Sequence, residues 1–287
     1  MPAATAERAF AVGPAPCLRG ESAGEGPAIV LCHGITATRR YVVHGSRALQ
    51  RAGHRVIAYD ARGHGESDPA PAGEGYGYPR LVEDLERVVA AELGEERFVL
   101  AGHSMGAHTA VAYALRHPDR LAGLVVIGPV YLGSIEPASL AYWDGLADAL
   151  DAGGVEGFVT YIGERQGIDP RWRDSVLRFT RERMLAQRNL GALATALREL
   201  PRSRPFEGLA DLGGLDLPAL VVASNDDADP GHPFEAAAAY AEALPDGRLL
   251  SEEEGESPLA WQGGKLSRQI AAFCEEIGAG SADNQSA

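Results

Sequence analysis

The 287-residue chain has three cysteines, no long apolar run, no basic cluster and no histidine after His232. Each absence excludes something. Cys17, Cys32 and Cys274 are odd in number, widely spaced and without a CxxC pair, so they read as reduced thiols with no disulfide framework or zinc site. No apolar stretch approaches the roughly 18 residues of a membrane helix. The opening MPAATAERAF lacks the apolar segment of a signal peptide, which makes the cytoplasm the expected location. A formal net charge of −14 with no offsetting basic patch argues against nucleic acid and anionic membrane as partners. No metal-ligand cluster and no GxxxxGKS or GxxxxGKT phosphate loop occurs, so no metal or organic cofactor is implied. The oligomeric state is not legible in the sequence.

What remains is an ordinary globular composition, 45% hydrophobic and 23% charged, in a chain long enough for one large α/β domain. Short β-branched runs alternate with helical patterns, the signature of a parallel sheet with crossover helices. Strands are expected at Ala28–Cys32, His54–Tyr59, Arg97–Ala101, Leu121–Ile127, Pro218–Ala223 and Arg248–Ser251. Helices are expected at Arg40–Ala52, Tyr78–Leu93, Met105–Arg116, Pro233–Ala243 and Lys265–Ile277. The alternation stops between Pro129 and Leu217, where only helical periodicity is seen. We therefore expect a core at 8–129 and 217–277, a helical cap at 130–216, and frayed polar ends at 1–7 and 278–287. Apolar and aromatic residues of the cap, among them Tyr131, Leu132, Tyr142, Trp143, Phe158, Tyr161, Trp172, Phe179 and Met184, are candidates for a pocket wall or for core.

The segment Val99-Leu100-Ala101-Gly102-His103-Ser104-Met105-Gly106-Ala107-His108 places a serine between two glycines, after an apolar run and before a helix-forming one. This is the pattern of a strand, a sharp turn and a helix, a nucleophile elbow. The glycines two residues to either side of Ser104 remove Cβ atoms where strand and helix cross closely.

With Leu31-Cys32-His33-Gly34-Ile35 after one strand and Tyr59-Asp60-Ala61-Arg62-Gly63-His64-Gly65-Glu66-Ser67 after the next, the chain resembles the α/β-hydrolase superfamily over about 26–277. The resemblance implies an oxyanion hole made by the N–H groups of Ile35 and Met105, with His33 and the Arg62–Ser67 turn in structural roles. At the elbow, His103 is expected to point away from the pocket. Tyr41 and His44 are candidates for the pocket wall, and His54, His108 and His117 read as structural. The family places an acid just after the strand ending at Ala223; counting assigns it to Asp227, with Asp229 second and Asp226 also near.

The histidine is where the chain departs from the family. The usual Gly-His after the last strand reads Gly255-Glu256 here. Three readings stay open. His232 supplies the base from the acid loop; Glu256 serves as an unusual acid or base in a lyase or cyclisation reaction; or the fold binds a ligand without hydrolysing it. The favoured expectation is a serine hydrolase that cleaves an ester, thioester or related acyl bond of a small, partly apolar substrate. Its nucleophile is Ser104, its base His232 and its orienting acid Asp227.

Overall fold

The computed structural model describes residues 7–164, 168–225 and 229–279. Its frame is an eight-stranded sheet of β1 (Arg8–Val12), β2 (Leu18–Ala23), β3 (Ala28–Cys32), β4 (Arg55–Tyr59), β5 (Phe98–His103), β6 (Leu121–Ile127), β7 (Ala219–Val222) and β8 (Gly247–Leu250). The spatial order is β1-β2-β4-β3-β5-β6-β7-β8. The β1–β2 and β2–β4 pairs are antiparallel and all others parallel. The central strands read as unbroken apolar runs because helices cover both sheet faces. One face carries α2 (Tyr78–Leu93), α3 (Met105–Arg116) and α7 (Phe234–Ala243), whose Leu85, Val111 and Tyr240 join Val30, Leu100 and Leu124 in a core. The other carries α1 (Ala48–Arg51) and α8 (Gly263–Glu276), with Leu49, Ile270 and Phe273 against Ile29, Val99 and Val125. Each such fully buried Leu, Ile or Val side chain contributes roughly 1.5–3 kcal/mol, so the strands that carry the site rest on the most strongly held part of the chain.

Between β6 and β7 the described residues form helices and no strand: α4 (Pro137–Gly163), α5 (Arg173–Leu185) and α6 (Leu190–Glu199). Gly154, at φ +57°, bends α4 where the sequence pattern separates two helices. These helices share a small core of their own, including Leu146, Leu150, Phe158, Met184, Leu193 and Leu197.

Two expectations need correction. The helix expected over Arg40–Ala52 is reduced to Ala48–Arg51, because His44 (φ +47°) and Gly45 (φ +69°) adopt left-handed backbone that no helix accommodates. The β1–β2 hairpin was not anticipated. Its strands are short and half-exposed, and their clearest packing signal is non-local: a Cβ at Gly20 would lie 2.2 Å from the Phe10 ring that covers it.

Candidate active site

The elbow is built as its glycines require. Ser104, between β5 and α3, holds φ +53° and ψ −113°, and its N–H donates to the Ile127 carbonyl at 2.9 Å. A Cβ at Gly102 would lie 2.1 Å from the Gly106 carbonyl oxygen, and one at Gly106 would lie 2.0 Å from that of Cys32. Strand β3, strand β5 and helix α3 therefore meet so closely that neither position admits a side chain. The left-handed serine is the strained residue that this crossing holds in place.

Beside it runs the loop after β3. His33 is buried; its Nδ1–H donates to the Gly34 carbonyl at 2.8 Å and its Nε2 accepts the Ala61 N–H at 2.9 Å. With both nitrogens occupied, it joins the β3 and β4 loops, and burial lowers its basicity despite nearby Asp60. The turn after β4 is held likewise: Ser67 Oγ donates to Asp60 O at 2.6 Å, and His64 Nδ1 to Arg62 O at 2.9 Å. Gly34 leaves room for the elbow, since a Cβ there would lie 3.0 Å from His103 Nδ1 and 3.4 Å from Ser104 Cβ. Among the described residues, neither the Ile35 nor the Met105 N–H meets an acceptor, and both residues border the cavity over Ser104.

The loop after β7 brings in the imidazole. His232 Nδ1 lies 2.8 Å from Asp229 Oδ2. With Asp229 ionised, Nδ1 donates and Nε2 is left free to accept a proton. Burial alone would raise the Asp229 carboxyl; the His232 charge and hydrogen bond, with His103 and Arg183, outweigh it and hold Asp229 at about 2. The His232 ring rests on the end of β6, its Cδ2 3.2 Å from where a Gly128 Cβ would stand. Since His103 pairs with Ile127 in the β5–β6 ladder, Ser104 and Gly128 are the residues that follow a paired position on adjacent strands. His103 departs from expectation: it lines the cavity, its ring centroid 5.0 Å from that of His232. Burial first, then the like charge of His232, lowers its pKa to about 3, so it stays neutral near pH 7.

Asp226 and Asp227 lie outside the described residues, so the acid favoured from sequence has no position to report, whereas Asp229, its second candidate, is the one seen on His232. Glu256 is half-exposed, ion-paired with Lys265 of α8 and absent from the cavity lining, and that pairing lowers its pKa. It is not brought to Ser104. The buried member of the acidic run is Glu252, which accepts from Ser224 Oγ (3.1 Å), Asn225 N (2.6 Å) and Leu259 N (2.9 Å) and so ties the loop after β7 to the loop after β8.

The comparisons with known proteins agree with this architecture. The family model described as alpha/beta hydrolase fold matches residues 27–255. The chain belongs to the α/β-hydrolase fold family. A putative carbamate hydrolase RutD of Variovorax paradoxus is 31% identical over 208 residues, 71% of this chain and 75% of that protein. Epoxide hydrolase B of Mycobacterium tuberculosis is 38% identical over 109 residues, 38% of this chain but only 30% of that protein. The match thus spans about a third of that relative's length. Among solved structures, a thermophilic esterase from Thermogutta terrifontis superposes with a TM-score of 0.76 at 22% identity, covering 94% of this chain and 99% of that one. The enol-lactonase from Burkholderia xenovorans LB400 gives 0.72 at 21% identity, covering 94% and 99%. At such identities these two structures establish the fold alone.

In this α/β-hydrolase the cavity over Ser104 measures about 500 Å³, within the usual range for small-molecule sites. Tyr41 and His44 line it as expected; His44 Nε2 donates to the Ala260 carbonyl at 3.2 Å. Of the candidate cap residues, Tyr131, Tyr142, Trp143, Phe158 and Phe179 reach the wall. Leu132, Tyr161, Trp172 and Met184 do not, and Met184 is fully buried in the packing between α4 and α6. His108 is structural, as expected, but stands at the cavity edge. Its Nε2 accepts the N–H groups of Val130 (3.0 Å) and Tyr131 (3.2 Å), so its Nδ1–H donates to Tyr78 Oη at 2.9 Å. The residue that sequence reasoning missed is Arg183. Its signal was present: Val176, Phe179, Thr180 and Arg183 recur at helical spacing along α5, which puts a cation on the face that lines the cavity.

Proposed function

We propose that the chain is a serine hydrolase that cleaves ester, thioester or related acyl bonds of small, partly apolar substrates through an acyl-enzyme. One observation carries this reading: the strained elbow serine shares a cavity with a histidine whose Nδ1 is held by a half-buried carboxylate. Ser104 Oγ attacks the acyl carbon while its proton passes to His232 Nε2. The Ile35 and Met105 N–H groups receive the developing oxyanion; each such fixed donor typically accounts for about 3 kcal/mol of the barrier. His232 returns the proton to the departing alcohol or thiol, leaving the acyl group on Ser104. Water, deprotonated by His232, then attacks the ester carbon, and the acid leaves as Oγ regains its proton. Asp229 is the positioning acid, holding the imidazole with Nε2 toward the serine. Helices α4–α6 form a cap that supplies the apolar wall and excludes water. His232 thus reaches the nucleophile from the loop after β7, in place of the usual position after the last strand, which Glu256 occupies.

The test is hydrolysis of p-nitrophenyl acetate and butyrate, together with labelling by a fluorophosphonate. Wild type should turn over the esters and take the label on Ser104. Ser104→Ala and His232→Ala should each lower kcat by about 10³-fold or more. Asp229→Asn should lower it by about 10²–10⁴-fold with little change in KM. An unlabelled Ser104, or full activity in Ser104→Ala or His232→Ala, would overturn the mechanism.

A further inference from the structure

Arg183 is enclosed in the cavity wall, and among the described residues its guanidinium has no hydrogen-bond or ion-pair partner; its Nε is buried and unsatisfied. It is the only Lys or Arg among the described residues lining the cavity, whose wall also includes Val176, Phe179 and Phe158, with Tyr41, Tyr142 and Asp229 near the guanidinium. Nor is it a loose surface side chain, because the turn that follows it is clamped. Gln187 Nε2 donates to the carbonyls of Thr36 (2.9 Å) and Ala37 (3.0 Å), and its Oε1 accepts the Gly65 N–H at 2.7 Å. The end of α5 is thereby pinned to the loop that presents Ile35. Asp229, the carboxylate whose charge acts on Arg183 among the described residues, already has one oxygen on His232.

A guanidinium whose Nε is buried without a partner costs stability unless something completes it. Five donors in a planar fork match a carboxylate. We propose that Arg183 is the anchor for a carboxylate on the substrate, so that the enzyme selects acyl compounds with an apolar body and an anionic end. This rests on the acyl-hydrolase reading of the same cavity. It adds a specificity that the elbow, the oxyanion hole and the histidine do not carry. Burial disfavours the charged guanidinium, with Asp229, Tyr41 and Tyr142 opposing that, which is consistent with a group awaiting an anion.

The test is calorimetric binding to the Ser104→Ala protein, which requires no turnover. Two pairs of probes are used: mono-p-nitrophenyl glutarate against its methyl diester, and 4-hexanoyloxybenzoate against its methyl ester. They place the carboxylate on the acyl side and on the leaving-group side. In at least one pair the anion should bind about tenfold or more tightly than its neutral counterpart. Adding Arg183→Gln should abolish that preference. Arg183→Lys, tested in parallel, should keep part of it. Equal binding of anion and neutral ester in both pairs overturns the proposal, as does a preference that survives Arg183→Gln. A wild type that hydrolyses none of the four esters speaks against acyl hydrolysis alone, since the binding preference is read without it.

Discussion

Two arginines, one buried and one half-buried in a cavity wall, divide this molecule. Arg62, in the turn after β4, is 2% exposed and fully satisfied: Nε and one terminal nitrogen grip Asp84 at 2.7 and 2.9 Å, and the other reaches the Gly75 carbonyl at 3.1 Å. Arg183, on α5, faces the cavity with no such partner among the described residues. The first lies between a loop and α2, where nothing enters or leaves, so every donor must be matched within the chain. The second lies in the wall of the cavity over Ser104. Burial pushes the Asp84 carboxyl up despite Arg62 and Arg87, while against burial Asp84 and Glu74 push the Arg62 guanidinium up, holding it charged. The pair's value is positional, holding the turn whose other end carries His64 and Gly65. The lesson is that burial and charge do not by themselves mark a site. An unmatched charge in a cavity wall does.

The contrast can be broken at several points. The largest effect should come from Asp84→Ala, which strands Arg62: we expect a loss of about 3–5 kcal/mol in urea unfolding. A loss under 1 kcal/mol would show that the pair does not hold the turn. Next is acidity. His64 and His108 are buried and held neutral, each with a pKa lowered to about 3, by burial first and then by His33 and His232 respectively. The unfolded chain takes up these protons below pH 6.5 and the native state does not, so stability is full above that pH and falls as acid is added toward pH 3. At pH 5 each should cost about 2 kcal/mol, and an unfolding midpoint unchanged between pH 7 and 5 would contradict their neutrality. Arg183→Met should do the reverse of Asp84→Ala and raise stability by about 1 kcal/mol, since it removes an uncompensated charge from an apolar wall. A lowered melting temperature would reveal a structural partner instead. The smallest effect belongs to Glu256→Gln: its ion pair with Lys265 is solvent-exposed, so melting temperature and ester turnover should stay as in wild type. A lost turnover there would return Glu256 to the chemistry.

Much of the frame was legible because its signals are local. Helices α2 and α3 and strand β6 begin and end where the periodicity places them, and the elbow glycines stand where backbone contacts of 2.0–2.1 Å would otherwise forbid the fold. The structural duty of His33 followed from its motif. What misled was also physical. The segment after Arg40 has helical composition, but the backbone turns left-handed at His44 and Gly45 to pass beneath the loop that carries Ala260. His103 faces the cavity because Gly34 vacates the space beside it, a relation between β3 and β5 that no count along one segment reveals.

The amino-acid sequence by itself determined the six later strands of the sheet, the elbow at Ser104 and the absence of a histidine at the usual position, because propensity, glycine placement and apolar periodicity act over a few neighbouring residues. Only the tertiary structure decided that His232 rests on Gly128 with Asp229 at its Nδ1, that Glu256 belongs to Lys265, and that Arg183 has no partner among the described residues. Those outcomes depend on which groups meet across strands and helices far apart in the chain, where burial sets the cost of a charge and distance decides whether it is met.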